Sequence, residues 1–172
     1  MTIRRLKPAD AEAYRAIRLA ALKAAPESFS STYEAEVDRP IEHFGRRVAD
    51  TAIFGAFADE QLVGMAGFMR ESSPRERHKG LLWGMYVAPA ARRYRIGAAL
   101  VQAVLDHAAG EVEQVRLAVS HGNTAAIGLY ERLGFVAYGH EPRSLKGLGG
   151  YSDDVLMVRF LETDPGDAKP TD

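Results

Sequence analysis

The chain has 172 residues, 47% of them apolar and 26% charged, with a formal net charge of −1 and no cysteine. That length suits one α/β domain able to bury about two-thirds of its unfolded surface. The near-zero charge argues against a dedicated nucleic-acid surface, and the missing thiols exclude disulfides, thiolate metal sites and a cysteine nucleophile.

The first ten residues alternate apolar and charged side chains, so Thr2 to Leu6 read as a strand rather than a signal peptide. No later segment reads as a membrane span, and the cytoplasm is the expected compartment. Asp10 is placed to cap a helix whose apolar face runs Tyr14, Ile17, Ala20, Ala21 and Ala24, closed by Pro26. A polar loop with two aromatics follows, over Pro26 to Tyr33. A second helix is predicted from Pro40, with Ile41, Phe44 and Val48 as its buried stripe. Ala52 to Ala58 and Leu62 to Met69 form a hairpin through Asp59, Glu60 and Gln61.

After a polar connection, Leu81 to Val87 is a largely apolar strand suited to the middle of a sheet, stopped by Pro89. From Arg95 to Ala109 the positions Leu100, Val101, Val104, Leu105 and Ala108 mark an amphipathic helix ended by Gly110. Val115 to Val119 is a strand and Asn123 to Leu133 a helix. Phe135 to Tyr138 is a short strand, followed by a glycine-rich loop through Gly150 and a last strand over about Asp153 to Leu161. Residues 163–172 have nothing to bury and are expected to be a disordered tail, leaving one domain over 1–162. A single mixed sheet with helices on both faces is the economical architecture, with Leu81 to Val119 as its right-handed parallel crossover.

The segment Tyr86-Val87-Ala88-Pro89-Ala90-Ala91-Arg92-Arg93-Tyr94-Arg95-Ile96-Gly97-Ala98 ends a strand, crosses a loop with three arginines and starts a helix with a glycine in its first turn. Helix N-termini present unpaired N–H groups and a positive dipole end to phosphates, and a residue without Cβ lets a phosphate approach. The arginines add charge-assisted contacts. The lysine of one familiar phosphate loop and the triple glycine of another are missing. A surface loop of solvated arginines is the alternative reading.

This segment resembles motif A of the GNAT superfamily of acyl-CoA-dependent N-acyltransferases, matching at Val87, Pro89, Arg92 and Gly97, with Arg95 where the motif has its first glycine. Asn123-Thr124-Ala125-Ala126-Ile127-Gly128-Leu129-Tyr130-Glu131-Arg132-Leu133-Gly134-Phe135 resembles motif B. Asn123 can cap that helix and still offer its amide to a pantetheine arm, and small Ala126 lets the arm pass close. Tyr130 lies four residues further on the same face. Taken alone, that helix is also compatible with Tyr130 as an ordinary core tyrosine.

The resemblance implies a mostly antiparallel GNAT-like sheet of about six to seven strands with about four helices, and acetyl-CoA as acyl donor without a metal. It implies direct attack of a neutral amine on the thioester. Backbone N–H groups near Tyr86 or Val87 would hold the oxyanion, and Tyr130 would protonate the departing sulfur. The family's glutamate on the central strand is missing from Leu81 to Met85. Glu36, Glu71, His78 and His121 are the candidates to take the ammonium proton, His121 the best placed of them.

Phe29, Tyr33 and Trp83 are expected either to line the acceptor pocket, framed by the loops Pro26 to Tyr33 and Gly139 to Gly150, or to pack in the core, which suits Trp83 slightly better. The acceptor is a small-molecule or peptide amine, with neither nucleic acid nor membrane as partner; a homodimer is compatible with this reading. Two other functions fit part of the pattern: a non-catalytic acyl-CoA-binding sensor or interaction module, and a nucleotide-binding interaction protein.

Overall fold

The computed structural model describes residues 1–161, with Arg93 and Tyr94 described by their backbone alone; the predicted tail lies outside the described residues. The chain opens with β1 (Thr2–Arg5) and turns through a short 3₁₀ segment at Pro8–Asp10 into α1 (Ala11–Ala24). Asp10, predicted to cap α1, instead serves the turn before it. Its carboxylate accepts the Lys7 N–H at 2.7 Å and pairs with Arg4 at 2.8 Å. A single helical turn, α2 (Tyr33–Glu36), follows the predicted loop, capped by the Thr32 hydroxyl. Four residues are too few to show a helical period in sequence.

There follow α3 (Ile41–Asp50), β2 (Ala52–Ala58), β3 (Gln61–Arg70), β4 (Lys79–Val87), α4 (Ile96–Ala108), β5 (Gln114–Ser120) and α5 (Thr124–Arg132). The chain closes with β6 (Val136–Gly147) and β7 (Gly150–Phe160). The seven strands form one sheet in the order β1-β2-β3-β4-β5-β7-β6, antiparallel throughout except for β4 beside β5. This agrees with the predicted mixed sheet, with α2 as the added helix.

One prediction needs correction. The stretch Gly139 to Gly150, expected as a glycine-rich loop, is part of a long hairpin turning at Leu148 and Gly149. Its glycines read locally as loop signals, but β7 offers a full ladder that overrides them. Pro142 is accommodated because Pro142, Arg143 and Ser144 bulge out opposite Asp153 on an edge strand, where a missing N–H costs nothing. The Arg143 N–H donates to Asp153 Oδ1 at 2.8 Å and the Ser144 hydroxyl to Asp154 Oδ2 at 2.6 Å, which holds the bulge.

Each face of the sheet has its own core. Leu100, Val101, Val104 and Leu105 of α4 pack on one face with Leu82, Val115, Leu117 and Phe135. Tyr14, Ile17 and Ala21 of α1 join Phe44 and Val48 of α3 on the other, over Ile53, Met65 and Tyr86. The predicted α1 face holds at Tyr14, Ile17 and Ala21, whereas Ala20 and Ala24 are exposed.

In their place α1 buries a charge. Arg18 is 6% exposed and its Nε and Nη2 donate to Glu36, itself 3% exposed, the shortest contact being 2.8 Å. Arg47 of α3 donates to the other Glu36 oxygen at 3.1 Å. Burial alone would raise the Glu36 pKa, but hydrogen bonds from Arg18 and Ser31 and the charges of Arg18 and Arg47 outweigh it and hold the group at about 2. Three helices are thereby tied through one carboxylate.

Removing one partner of a buried pair leaves an uncompensated charge and costs about 3–5 kcal/mol. Glu36→Gln is expected to lose about that much stability at neutral pH, measured by denaturant unfolding. Because the folded pKa lies below the ordinary value of 4.5, the contribution of Glu36 is complete above that value and fades as pH falls toward 2. The gap between wild type and Glu36→Gln therefore narrows over that window.

Candidate functional site

β4 and β5 pair over only three positions, from Lys79↔Gln114 to Leu81↔Arg116. Beyond them each strand keeps its outer partner, β4 with β3 and β5 with β7, while the facing edges separate. A bulge at Gly84 and Met85, opposite Ala66 of β3, bends β4 at this point. Gly84 sits at φ +64°, a conformation that an L side chain adopts only with strain. The resulting wedge is a cleft of about 850 Å³ between the two strands, with the α4 N-terminus and α5 at its sides.

The α4 end carries the predicted phosphate-binding features. Residues Pro89–Tyr94 make a 3₁₀ segment and Arg95 takes the left-handed conformation at φ +54°, as the N-cap of α4. A glycine would adopt that backbone without strain, so Arg95 keeps the loop shape expected of the motif's glycine and adds a cation. Arg92 donates from Nε to the Val87 carbonyl at 3.1 Å and, with Arg95, Gly97 and Ala98, lines the cleft. The first N–H groups of α4 have no carbonyl one turn earlier to accept them, and they meet the cleft at its positive dipole end.

Gly97 also has a packing role. A Cβ there would stand 3.2 Å from Leu129 of α5 and 3.2 Å from Met85 of β4. Ile96 does not line the cleft; it is buried in the core beneath α4. The side chains of Arg93 and Tyr94 lie outside the described residues.

On the other side, Asn123 Oδ1 accepts the Ala126 N–H at 3.1 Å and caps α5, as predicted. Asn123 and Ala126 line the cleft, as do Tyr86 and Val87 of β4. Tyr130 is 5% exposed, lines the same cleft and meets Phe135 edge-on at 5.7 Å. Its burial pushes the phenol pKa up to about 12, so the O–H stays intact at any ordinary pH. Gly134, at φ +82°, turns the chain sharply so that Phe135 packs under this ring.

Of the expected acceptor residues, Phe29 and Trp83 line the cleft. The Trp83 ring also covers Gly67, and its Nε1 is buried without a hydrogen-bond partner. Tyr33 does not reach the cleft; its ring sits beneath the Lys23 ammonium, 4.1 Å away.

The four candidate bases are scattered. Glu71 pairs with Arg116 at 2.7 Å and the His78 carbonyl accepts the Glu113 and Gln114 N–H groups, at the closed end where β4 and β5 still pair. Glu36 is held between Arg18 and Arg47. His121 is exposed just past β5, its ring 6.0 Å from that of His140, which pairs with Asp153 at 3.2 Å. Among the described residues the cleft is lined by three arginines, Arg92, Arg95 and Arg132, and by no carboxylate or imidazole. Arg132 and Ser120 had no distinguishing signal in sequence.

The Gly84 conformation gives a direct test of the wedge. Gly84→Ala is expected to cost about 1 kcal/mol through its left-handed backbone, read as a lowered unfolding midpoint.

With this geometry in hand, the chain can be placed among known proteins. A sequence model described as "Acetyltransferase (GNAT) family" matches residues 17–135. No curated protein sequence matches the chain. Among solved structures, an acetyltransferase of the GNAT family from Streptococcus pneumoniae superposes with a TM-score of 0.84 at 21% identity, covering 94% of this chain and 99% of that one. A ribosomal-protein-alanine N-acetyltransferase from Brucella melitensis gives 0.81 at 24% identity, covering 94% and 100%. A phosphinothricin acetyltransferase from Sinorhizobium meliloti, in complex with AcCoA, gives 0.81 at 20% identity, covering 99% and 93%. At these identities the superpositions establish the fold, and the family match spans well over half of the chain: this protein belongs to the GNAT family of acetyltransferases.

Proposed function

We propose that residues 1–162 form one cytoplasmic N-acetyltransferase domain that transfers an acetyl group from acetyl-CoA to a primary amine of a small molecule or a peptide. The observation that carries this reading is the wedge between β4 and β5, which opens between an arginine-flanked helix N-terminus and the buried Tyr130 hydroxyl. Its two chemically different ends suit the two ends of one ligand. Arg92, Arg95 and the first N–H groups of α4 bind the diphosphate. The separated edge of β4 offers backbone groups to the pantetheine amides and, near Tyr86 and Val87, a donor to the thioester oxygen. The relative from Sinorhizobium meliloti, whose structure contains AcCoA, supports acetyl-CoA as the ligand. The relatives named above are described with a protein and with a small molecule, so the size of the acceptor stays open within this reading.

Tyr130 donates its proton to the sulfur as negative charge gathers there. With a phenol pKa of about 12 it is a weak acid toward a free thiolate, so it acts by hydrogen bonding late in C–S cleavage rather than by early proton transfer. For the ammonium proton, the lining offers no carboxylate or imidazole among the described residues. Water entering the open cleft takes it instead.

Four outcomes follow. Thiol release from acetyl-CoA against a broad amine panel should show turnover; tight acetyl-CoA binding with no turnover on any amine would favour the non-catalytic module, which the lack of a lining base also fits. Tyr130→Phe should lower kcat by roughly 10²–10⁴-fold with acetyl-CoA affinity nearly unchanged. Arg92→Ala with Arg95→Ala should weaken acetyl-CoA tenfold or more, about 1.4 kcal/mol, and calorimetry at two ionic strengths should find the salt dependence reduced. The pH profile of kcat/KM, in turn, should rise with unit slope toward the pKa of the acceptor's own ammonium, with no inflection from an enzyme carboxylate or histidine.

A further inference from the structure

Among the described residues Arg18 is the one buried cation, and its pairing with Glu36 uses only one edge of the guanidinium. It lies on α1, 94% buried, with its guanidinium plane locked by Nε and Nη2 on Glu36 and by the Phe29 ring, whose centroid is 5.0 Å from Cζ. Nη1 points away from Glu36 and has no hydrogen bond among the described residues. It lies 4.0 Å from the place where a Cβ of residue 84 would stand. Residue 84 is the glycine of the β4 bulge, so no side chain intervenes there, and both Gly84 and Phe29 line the cleft.

The local charge points the same way. Glu36 faces two guanidinium groups, Arg18 and Arg47, and carries one negative charge. His43, 3.1 Å from Arg47, adds no anion, and burial and the neighbouring arginines keep it from protonating readily. Tyr14 stays neutral, its hydroxyl pKa raised by burial. The cluster behind the cleft wall therefore has an excess of one positive charge in a poorly solvated place, where its field toward the cleft is strong. A cleft built for a polycationic amine would place carboxylates near the acceptor, and none lines this one among the described residues.

We infer that the amine acceptor carries a carboxylate close to its amine, as an α-amino acid does, and that Arg18 docks this group through Nη1 at the Gly84 bulge. The inference rests on the acetyltransferase reading above and adds the class of acceptor to it. Arg18 here is a specificity residue. It orients the acceptor across the bulge so that the amine faces the thioester end of the wedge, and it takes no part in proton transfer. Arg18 is not itself in the cleft lining; Glu36 and Phe29 hold the guanidinium so that its free edge lies beside Gly84, which is.

The wild-type enzyme supplies the first test, with matched acceptors: each common L-amino acid, its carboxamide and its decarboxylated amine, plus spermidine, all followed by thiol release. Carboxamides have the less basic amine and so more of the reactive neutral form near pH 8. A preference for the carboxylate therefore cannot come from amine ionisation. For the best amino acid, kcat/KM should exceed that of its carboxamide by about 10–100-fold, the range of a charge-assisted hydrogen bond. Arg18→Met should bring that ratio close to one while leaving acetyl-CoA affinity by calorimetry unchanged. Arg18→Lys, which keeps a cation beside Glu36, should retain an intermediate ratio and guards against a Met variant that does not fold. Equal kcat/KM for acid and carboxamide, or a preference for spermidine, would overturn the inference and leave the acetyltransferase reading standing. A wild-type preference that survives in Arg18→Met or Arg18→Lys at full size would overturn the assignment to Arg18. No thiol release with any acceptor would overturn the acetyltransferase reading itself, and the inference with it.

Discussion

The separation of β4 from β5 is the constraint on which the rest of the molecule depends. Two parallel strands in the middle of a sheet ordinarily pair along their length, because a buried backbone group without a partner costs about as much as a lost hydrogen bond. Here pairing stops at Leu81 and Arg116, although both strands continue. The sheet survives because each strand keeps its other neighbour past that point, β4 pairing with β3 on both sides of its bulge and β5 with β7 throughout. What remains is a pair of strand edges with unused hydrogen-bonding capacity facing one cleft. Such an edge is matched by an extended, amide-bearing ligand far better than by a compact one.

Keeping the wedge open takes support from both faces of the sheet. The bulge at Gly84 bends β4, and α4 is packed close enough to α5 and β4 that a Cβ at Gly97 would press on Leu129 and Met85 at 3.2 Å. On the opposite face, α1, α2 and α3 meet at Glu36, whose carboxylate lies between two arginines. This ion cluster lies beside the bulge: Arg18 Nη1 is 4.0 Å from where a Cβ of residue 84 would stand. Structural support and cleft electrostatics are therefore supplied by the same side chains. A change at Glu36 acts on stability and on the field within the cleft together.

Charge is distributed unevenly around the cleft despite the near-neutral chain. Its described lining has arginines from the loop before α4 and from α5 and no acidic group, while carboxylates such as Asp10, Asp153 and Asp154 are occupied elsewhere in turns and bulges. The net charge of −1 is an average that hides a cationic cleft. A site of this kind attracts anionic ligands from solution and holds them in a region of low dielectric.

The sequence by itself determined most of the element order, the parallel crossover and the local starts of α4 and α5. These are local matters: a strand that ends at Pro89, a helix that starts past Arg95, an asparagine cap at Asn123 and a glycine turn at Gly134 are each governed by nearby backbone chemistry. Only the tertiary structure decided the rest, since it depends on contacts between residues far apart in the chain. The long β6–β7 hairpin outweighed its glycines because β7 completed a ladder. Asp10 went to the turn before α1 because Arg4 and the Lys7 N–H were there to meet it. Tyr33 stayed out of the cleft while Phe29 entered it, a difference set by the single turn of α2. Arg18 had no signal at all: an arginine on a helix reads as solvated until α2 brings Glu36 against it and the bulge at Gly84 brings the cleft to its other side.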